Sequence, residues 1–266
     1  MDFLLYIIAG AGVGFAIGLT GVGGGSLMTP LLLLFGFPAP VAIGTDLLYA
    51  AITKAGSAVS HHRAGNINWP VVCLLAAGSI PVSLLLHWLL IDPQYQESAE
   101  FERLLTLSLG IMLIVTAIIL IFRDKLRESA IRERPRSLMQ GLHRYRQQAT
   151  FLMGMLLGAC VTLSSVGAGA FGAAILMTLY ARSSAVRIIG TDIAHAVPLT
   201  FFAGAGYFIA GYVDMLLLAS LLLGSLPATH LGSKLSNRVP DKLLQRILTL
   251  ILLSLGLYYA VFKPAL

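Results

Sequence analysis

The sequence predicts an all-α polytopic membrane protein made of two inverted-topology repeats, each a glycine-broken helical hairpin followed by three spanning helices. Three observations predict this class. Hydrophobic residues make up 57% of the 266 positions and charged residues only 11%, against roughly 25% charged in an average soluble domain. Apolar runs close to the length of a spanning helix recur along the chain. The second half also repeats residue types of the first half at a constant offset.

The apolar runs give the expected elements in order. A spanning α-helix needs about 20 predominantly apolar residues, and each run approaches that length. We therefore expect helices over residues 3–19, 42–60, 70–90, 104–122, 149–165, 188–210, 213–232 and 247–262.

The internal duplication is carried by residues with special backbone or polar roles. A glycine cluster at residues 21–25 has a second copy at 167–172, and the offset of 146 then persists along the chain. The further matches are Gly44-Thr45-Asp46 with Gly190-Thr191-Asp192, Ala64-Gly65 with Ala210-Gly211, Gly78-Ser79 and Pro81 with Gly224-Ser225 and Pro227, and Ser108-Leu109-Gly110 with Ser254-Leu255-Gly256. One constant offset over so many such residues indicates a tandem duplication.

Each glycine cluster interrupts an apolar run, and a short apolar segment follows it. At 1.5 Å per residue, segments 26–35 and 173–180 reach only about 15 Å, which is half of the hydrocarbon thickness. Unpaired backbone groups inside a bilayer are tolerated only where protein or a cavity covers them. We therefore expect residues 3–35 and 149–180 to form helix–break–short-helix hairpins whose glycine clusters lie near the membrane midplane.

The basic segment 123–146 determines the predicted topology. It holds eight Lys and Arg against three Asp and Glu, a net charge of +5 out of the chain's +6, and short basic loops stay in the cytoplasm. Counting outward, the acidic loop 91–102 fits the outside, whereas its equivalent 233–246 is basic and fits the inside. Equivalent loops would then face opposite sides, as in the inverted repeats of many secondary transporters.

This topology divides the chain into membrane repeat 1 (1–122), a basic cytoplasmic linker (123–147) and membrane repeat 2 (148–266), within a single transmembrane domain. Both termini are then expected on the periplasmic side.

The predicted site is an anion site at the start of the two short helices. Unpaired N–H groups at a helix N-terminus carry about half a positive charge, and inversion would bring two such ends together. Backbone donors and hydroxyls there suit a small anion. The candidate residues are Gly21, Gly23, Gly24, Gly25, Ser26, Thr45, Ser164, Ser165, Gly167, Gly169 and Thr191. The alternative is that the glycines only let helices pack closely.

Four ionisable residues inside the predicted spans are candidates for coupling. Asp46 and Asp192 are equivalent, Lys54 follows Asp46 at helical spacing, and His195 follows Asp192 by three residues. A charge inside the membrane costs about 2.5–3.5 kcal/mol on insertion scales, so these residues are candidates for substrate or proton coupling, and histidine titrates near neutrality. The alternative is structural: the aspartates cap helix N-termini, and Lys54 extends to the membrane surface.

The pattern Gly-Val-Gly-Gly-Gly-Ser-Leu-Met-Thr-Pro-Leu-Leu at residues 21–32, with Ala42-Ile43-Gly44-Thr45-Asp46 and a weaker second copy ending in Gly-Thr-Asp, resembles the sulfite exporter TauE/SafE family. The resemblance covers nearly the whole chain. It implies a multi-pass carrier of the bacterial inner membrane for small sulfur-containing anions, such as sulfite, sulfoacetate or related organosulfonates.

Competing classes remain open at this point. Asp46 and Asp192 could form the dyad of an intramembrane aspartyl protease-like enzyme, but the tyrosine-aspartate and Gly-x-Gly-Asp patterns of such enzymes are absent. An ion channel or a cation exporter is a further alternative. We expect no enzyme activity, catalytic residue, cofactor, metal site or nucleic-acid partner. Coupled protons or sodium ions and a homo-oligomeric assembly stay open.

Overall fold

A computed structural model of the chain describes residues 2–20, 27–89, 98–131, 145–180, 183–235 and 241–262. Within these ranges the chain is helical apart from turns and short connections and has no β-strand, so the all-α prediction is confirmed. The helices are α1 Asp2–Thr20, α2 Met28–Leu34, α3 Ala39–Arg63, α4 Trp69–Leu89, α5 Ala99–Ile131, α6 Arg146–Ser164, α7 Ala170–Leu179, α8 Ala185–Ile209, α9 Met215–Leu235 and α10 Asp241–Leu257, which continues as the π-helical turn Tyr258–Phe262.

Among the described residues, five helices are long and apolar enough to cross a membrane. They are Trp69–Leu89, Ala99–Phe122, Arg146–Ser164, Ala185–Ile209 and Met215–Leu235. Shorter apolar helices cover Phe3–Leu19, Ala170–Leu179 and Gln245–Val261. Large apolar side chains on the outer surface, such as Trp88, Ile209 and Leu250, suit contact with lipid. The chain is therefore a multi-pass membrane protein, and each predicted apolar run is occupied by a helix.

The first part of the polar helix α3, as far as Lys54, is largely enclosed by the rest of the protein. It carries Asp46, Lys54 and a basic last turn, and its 25 residues make it one of the longer helices. Every residue from 42 to 47 is buried. Charged residues inside membrane proteins usually face the bundle interior, and α3 follows that rule.

The helix bounds of the two copies coincide. α3 and α8 begin and end 146 residues apart, and so do α4 and α9. α1 and α6, which precede the glycine clusters, are 144 residues apart. The second copy therefore has two additional residues between its first and third helices. Its short helix is longer, with 10 residues in α7 against 7 in α2.

The first helix of each copy packs against the fourth helix of the other copy. Between α1 and α9, a Cβ atom at Gly14 would lie 2.5 Å from the carbonyl oxygen of Ser225. Between α6 and α4, a Cβ atom at Gly158 would lie 2.4 Å from the carbonyl oxygen of Ser79. The same close contact between helices of different copies recurs one turn earlier, in the pairs Gly10–Leu221 and Gly154–Leu75. Small residues allow this close approach of helix backbones.

The third helices of the two copies, α3 and α8, run antiparallel. Gly44 near the start of α3 lies against Tyr207 near the end of α8, and Gly190 near the start of α8 lies against Asn66 just after α3. Two further pairs, Gly110–Ala260 and Leu120–Gln245, show that α5 and α10 are also antiparallel. Equivalent helices thus run in opposite directions where they meet.

The predicted basic linker is partly helical. α5 continues to Ile131, which lies within the segment 123–146. Residues 132–144 lie outside the described residues. The division into repeats and linker and the membrane side of each loop stay predictions.

Candidate functional site

Three charged side chains meet in the interior where α3 and α8 pack together. Asp46 is 0% exposed, Lys54 6% and Asp192 2%. Among the side chains whose burial the structure describes, these are the only buried Asp, Glu, Lys or Arg. Because burying an unpaired charge is expensive, the arrangement around them is informative about function.

Lys54 connects the first copy to the second. Its Nζ donates a 3.1 Å hydrogen bond to the carbonyl oxygen of Ala168, in the non-helical residues 165–169 that join α6 to α7. The alternative in which Lys54 extends to the membrane surface is therefore wrong, since the side chain ends inside the protein. The ammonium group also interacts electrostatically with both aspartates, more strongly with Asp192 than with Asp46.

Asp46 holds the start of the short helix α2. It is the eighth residue of α3, whose N-cap is Pro38, so the idea that it caps its own helix is wrong. Its Oδ2 instead accepts two hydrogen bonds from Thr29 in the first turn of α2, from the backbone N at 3.2 Å and from Oγ1 at 2.5 Å. Asp46 therefore supplies the capping carboxylate for another helix.

Asp192 occupies the corresponding place beside α7, with fewer partners. It is the eighth residue of α8, and the N-cap of α8 is Ser184, so Asp192 does not cap its own helix either. A Cβ atom at Gly172, in the first turn of α7, would lie 2.1 Å from Asp192 Oδ1. The backbone of Gly169 also hydrogen-bonds to the Asp192 carboxylate. Oδ1 itself is buried and has no hydrogen-bond partner.

His195 and its equivalent Tyr49 complete the interior. His195 is fully buried, and its Nε2 lies 2.8 Å from Ser79 Oγ on α4. Tyr49 is also fully buried, with Ser225 of α9 beside its hydroxyl. The two pairs are related by the offset of 146. Each therefore links the third helix of one copy to the fourth helix of the other copy.

Unpartnered polar atoms are concentrated around this charge cluster, which we define as Asp46, Lys54 and Asp192. Buried side-chain atoms without a hydrogen-bond partner are Asp46 Oδ1, Tyr49 Oη, Ser165 Oγ, Asp192 Oδ1, His195 Nδ1 and Ser225 Oγ, besides His61 Nδ1 and Thr116 Oγ1 elsewhere. Buried polar groups in proteins are almost always hydrogen-bonded. The cluster therefore has spare capacity for a bound polar species.

The other predicted site residues are divided between the cluster and structural contacts. Ser165 lies beside Asp46 and, like Gly167 and Gly169, has a positive φ in the non-helical residues 165–169. The Ser164 hydroxyl donates to the Cys160 carbonyl of its own helix at 2.7 Å and accepts from the backbone N of Val166 at 3.2 Å. Residues 21–26, which include Gly21, Gly23, Gly24, Gly25 and Ser26, lie outside the described residues.

Thr45 and Thr191 hold the ends of the antiparallel pair together. Thr45 Oγ1 accepts from the backbone N of Asp214 at 3.4 Å, and Thr191 Oγ1 accepts from the backbone N of Asn68 at 3.0 Å. Because 45 and 191 differ by 146, as do 68 and 214, the two contacts are equivalent. Both hydroxyls therefore serve in contacts between the copies.

Sequence reasoning did not single out the partners of the charged residues. Thr29 lies within the motif that carried the family resemblance, and Ser79 and Ser225 were noted only as matched positions. The Ala168 carbonyl, like any backbone group, leaves no mark in a sequence. Among the described residues, no three His, Cys, Asp or Glu side chains are grouped so that they could hold a metal ion.

Buried charges at the meeting point of two helices of a multi-helix membrane protein are typical of substrate or ion pathways. Residues 6–259 match the family model described as sulfite exporter TauE/SafE. The chain belongs to this family, and it is a membrane transporter.

Relatives of similar length have compatible names. The probable membrane transporter protein YjnA of Bacillus subtilis (strain 168) is 40% identical over 256 residues, which cover 94% of this chain and 97% of that protein. YdhB of the same organism is 28% identical over 241 residues, 88% and 90% of the two chains. A probable membrane transporter protein of Methanocaldococcus jannaschii is 28% identical over 272 residues, 96% and 94% of the two chains. No solved structure matches this chain significantly.

Proposed function

We propose that this transporter exports small sulfur-containing anions, such as sulfite or sulfoacetate-like organosulfonates, by alternating access around the charge cluster. The anion class is supported by the family description, which names sulfite, and by the buried ammonium group of Lys54.

The observation that carries this proposal is the position of Lys54. A buried cation that donates to a carbonyl oxygen 114 residues away can exchange that neutral acceptor for an anion without moving to the surface. The exchange is favourable because an anion adds a charge–charge attraction, which is strong in an interior shielded from water. The start of α7 lies next to the same carbonyl and adds backbone N–H groups of positive polarity.

Alternating access requires two halves that can rock about a central site. The antiparallel α3–α8 and α5–α10 contacts and the exchanged α1–α9 and α4–α6 contacts support an inverted-repeat relation between the copies. In transporters with such repeats, the substrate site lies near the midplane at the repeat interface. We propose the same place here, with residues 21–26 contributing from the first copy as the sequence predicts.

Counterflow in proteoliposomes tests the function. Labelled sulfite, sulfoacetate and a control cation are offered to vesicles that contain the purified protein and the unlabelled anion. We expect accumulation of at least one sulfur-containing anion and none of the cation. Absence of exchange with every anion, or exchange of the cation, would refute the proposal.

Lys54 provides the first specific prediction. Lys54→Met should reduce anion exchange by about 100-fold or more, because removing one member of a buried charged group costs about 3–5 kcal/mol. Lys54→Arg keeps the charge and should retain part of the exchange. The control is Lys234→Met, since Lys234 is exposed in the last turn of α9 and should exchange like wild type. Wild-type exchange in a folded Lys54→Met protein would exclude Lys54 from the site.

A further inference from the structure

We propose that Asp192, and not its equivalent Asp46, takes up a proton each time an anion binds, so that anion and proton cross the membrane together. This inference rests on the proposed anion transport and assigns the two aspartates different roles. It follows from how each carboxylate meets the short helix of its own copy.

Asp46 Oδ2 already accepts two hydrogen bonds. Thr29 donates to Asp46 Oδ2 from both its backbone N and its hydroxyl. These donors favour the charged form of a carboxylate. Protonating Asp46 would weaken both bonds and release the start of α2. We therefore infer that Asp46 stays ionised and holds α2 throughout the transport cycle.

Asp192 lacks the side-chain donor that Asp46 has. Gly172 stands at the start of α7 where Thr29 stands at the start of α2, and each is the residue that its aspartate contacts. Glycine supplies no hydroxyl, and its missing side chain leaves the room that Asp192 Oδ1 occupies. Asp192 is 2% exposed, and its Oδ1 has no hydrogen-bond partner. Asp46 Oδ1 is unpartnered as well, so the difference between the two aspartates is the pair of Thr29 donors, which only Asp46 has.

An incoming anion would compete with Asp192 for the same positive groups. The ionised carboxylate faces the first turn of the ten-residue helix α7 and interacts with the Lys54 ammonium. A second negative charge at that place is repelled strongly in a site shielded from water. Protonation of Asp192 removes the competing charge, and the anion then takes over both interactions. Binding of one anion charge is thereby linked to uptake of one proton.

The other ionisable groups near Asp192 have different roles. From α3, Lys54 interacts with it as the cation, and Asp46 interacts with the same cation; α7 and residues 165–169 contain no charged side chain. On its own helix, His195 is three residues away, and its Nε2 is engaged with Ser79 of α4. A positive charge on His195 would be repelled by Lys54. His87 of α4 also lies next to α8, but it is hydrogen-bonded to the carbonyl oxygen of Ala203, further along α8 than Asp192.

The proton balance is simple. A proton from the water on the loading side joins the Asp192 carboxylate, and the neutral acid and the bound anion are carried to the other side. There the anion leaves, the proton dissociates into water, and Asp192 recovers its contact with Lys54 and α7. No other reactant is needed.

The test measures binding of sulfoacetate to the full-length purified protein at several pH values. Sulfoacetate is chosen because neither of its acidic groups titrates between roughly pH 6 and 8.5, where an ordinary carboxyl is also fully ionised. Anion binding should tighten as the pH falls, by up to tenfold per pH unit. In weakly buffered solution, a pH indicator should report uptake of one proton per anion bound.

The variants separate the two aspartates. Asp192→Asn should bind sulfoacetate with an affinity independent of pH and without proton uptake, and it should exchange anions but fail to drive uphill transport. Asp46→Asn and His195→Gln should keep the pH dependence of wild type, whatever their affinity. If Asp192→Asn keeps the pH dependence, or if Asp46→Asn loses it, the assignment is wrong.

Wild-type protein alone can also overturn the inference, which covers the case of a variant that does not fold. Anion binding without any proton uptake rules out the coupled proton while leaving the anion transporter intact. A wild-type protein that neither binds nor exchanges any sulfur-containing anion refutes the proposed function and the inference together.

Discussion

The two copies of the repeat share the same arrangement of helices, which we call the frame, but they differ in the residues around the charge cluster. The bounds of the third and fourth helices and the threonine contacts at residues 45 and 191 coincide at the offset of 146, and the glycine crossings recur in both copies. The differences lie around the charge cluster, in the pairs Thr29 and Gly172, Tyr49 and His195, and Lys54 and Thr200. Thr200 donates to a carbonyl of its own helix, that of Ala196 at 2.8 Å. The frame is thus duplicated, whereas the buried cation is not.

This difference bears on the anion site predicted at two helix ends. The first turn of α2 already donates to Asp46, a carboxylate of the protein itself. The first turn of α7 faces a carboxylate with an unpartnered oxygen. Because the frame is shared but Lys54 is its single buried cation among the described residues and contacts the second copy, the comparison favours one anion site, which lies toward the second copy. The comparison between the copies can be tested at the levels of topology, packing and hydrogen bonding.

The largest expected effect concerns topology. If the copies are inverted repeats, a reporter fused after residue 266 lies in the periplasm and one inserted within 128–140 lies in the cytoplasm. Reporters that are active on only one side of the membrane should therefore give opposite signals at the two positions. Equal signals would contradict the inversion, and the antiparallel helix contacts would then need another explanation.

The second prediction concerns the shared frame. Gly14→Val and Gly158→Val should each abolish recovery of folded protein, because a Cβ atom there would lie 2.5 or 2.4 Å from a backbone carbonyl oxygen of the crossing helix. Backbone cannot yield as a side chain can, and overpacking alone typically costs about 1–3 kcal/mol or more. The measurement is the yield of monodisperse protein and its thermal midpoint.

Gly12→Val is the matched control for these variants, because no atom lies within 4 Å of a Cβ at Gly12. It should give normal yield. Tolerance of valine at one crossing but not at the other would show that the two copies are less alike in packing than their contacts indicate.

The sequence predicted most of the frame and part of the site. Long apolar runs and the 146-residue offset predicted the helices, and membrane burial of charge singled out Asp46, Lys54, Asp192 and His195. The direction of the Lys54 side chain was not predictable, because a lysine eight residues beyond Asp46 can reach either inward or to the surface. Its acceptor is a carbonyl 114 residues away, which depends on tertiary packing.

The roles of the aspartates could not be separated for a similar reason. Position within a helix decides between capping and burial, and the starts of α3 and α8 lie seven residues before Asp46 and Asp192. Apolar patterning alone located these starts too late, at residues 42 and 188. Thr29 and Gly172 are not separated along the chain by the same number of residues as Asp46 and Asp192, the aspartates that they contact. Only the packed structure shows that they are counterparts.

The smallest expected effect tests the hydrogen bond that distinguishes Asp46 from Asp192. Thr29→Val keeps the shape of the side chain and removes the hydroxyl that donates to Asp46 at 2.5 Å, while the backbone donor remains. A hydrogen bond to a charged group contributes about 1.5–3 kcal/mol, so the thermal midpoint should fall by a few degrees. Thr200→Val is the control, because Thr200 is equally buried and bonds only within its own helix; its midpoint should fall less. The pH dependence of anion binding should be the same in both variants as in wild type, since neither touches Asp192. If Thr29→Val changes that dependence instead of the midpoint, then Asp46 is the proton acceptor and the two copies have exchanged the roles assigned to them here.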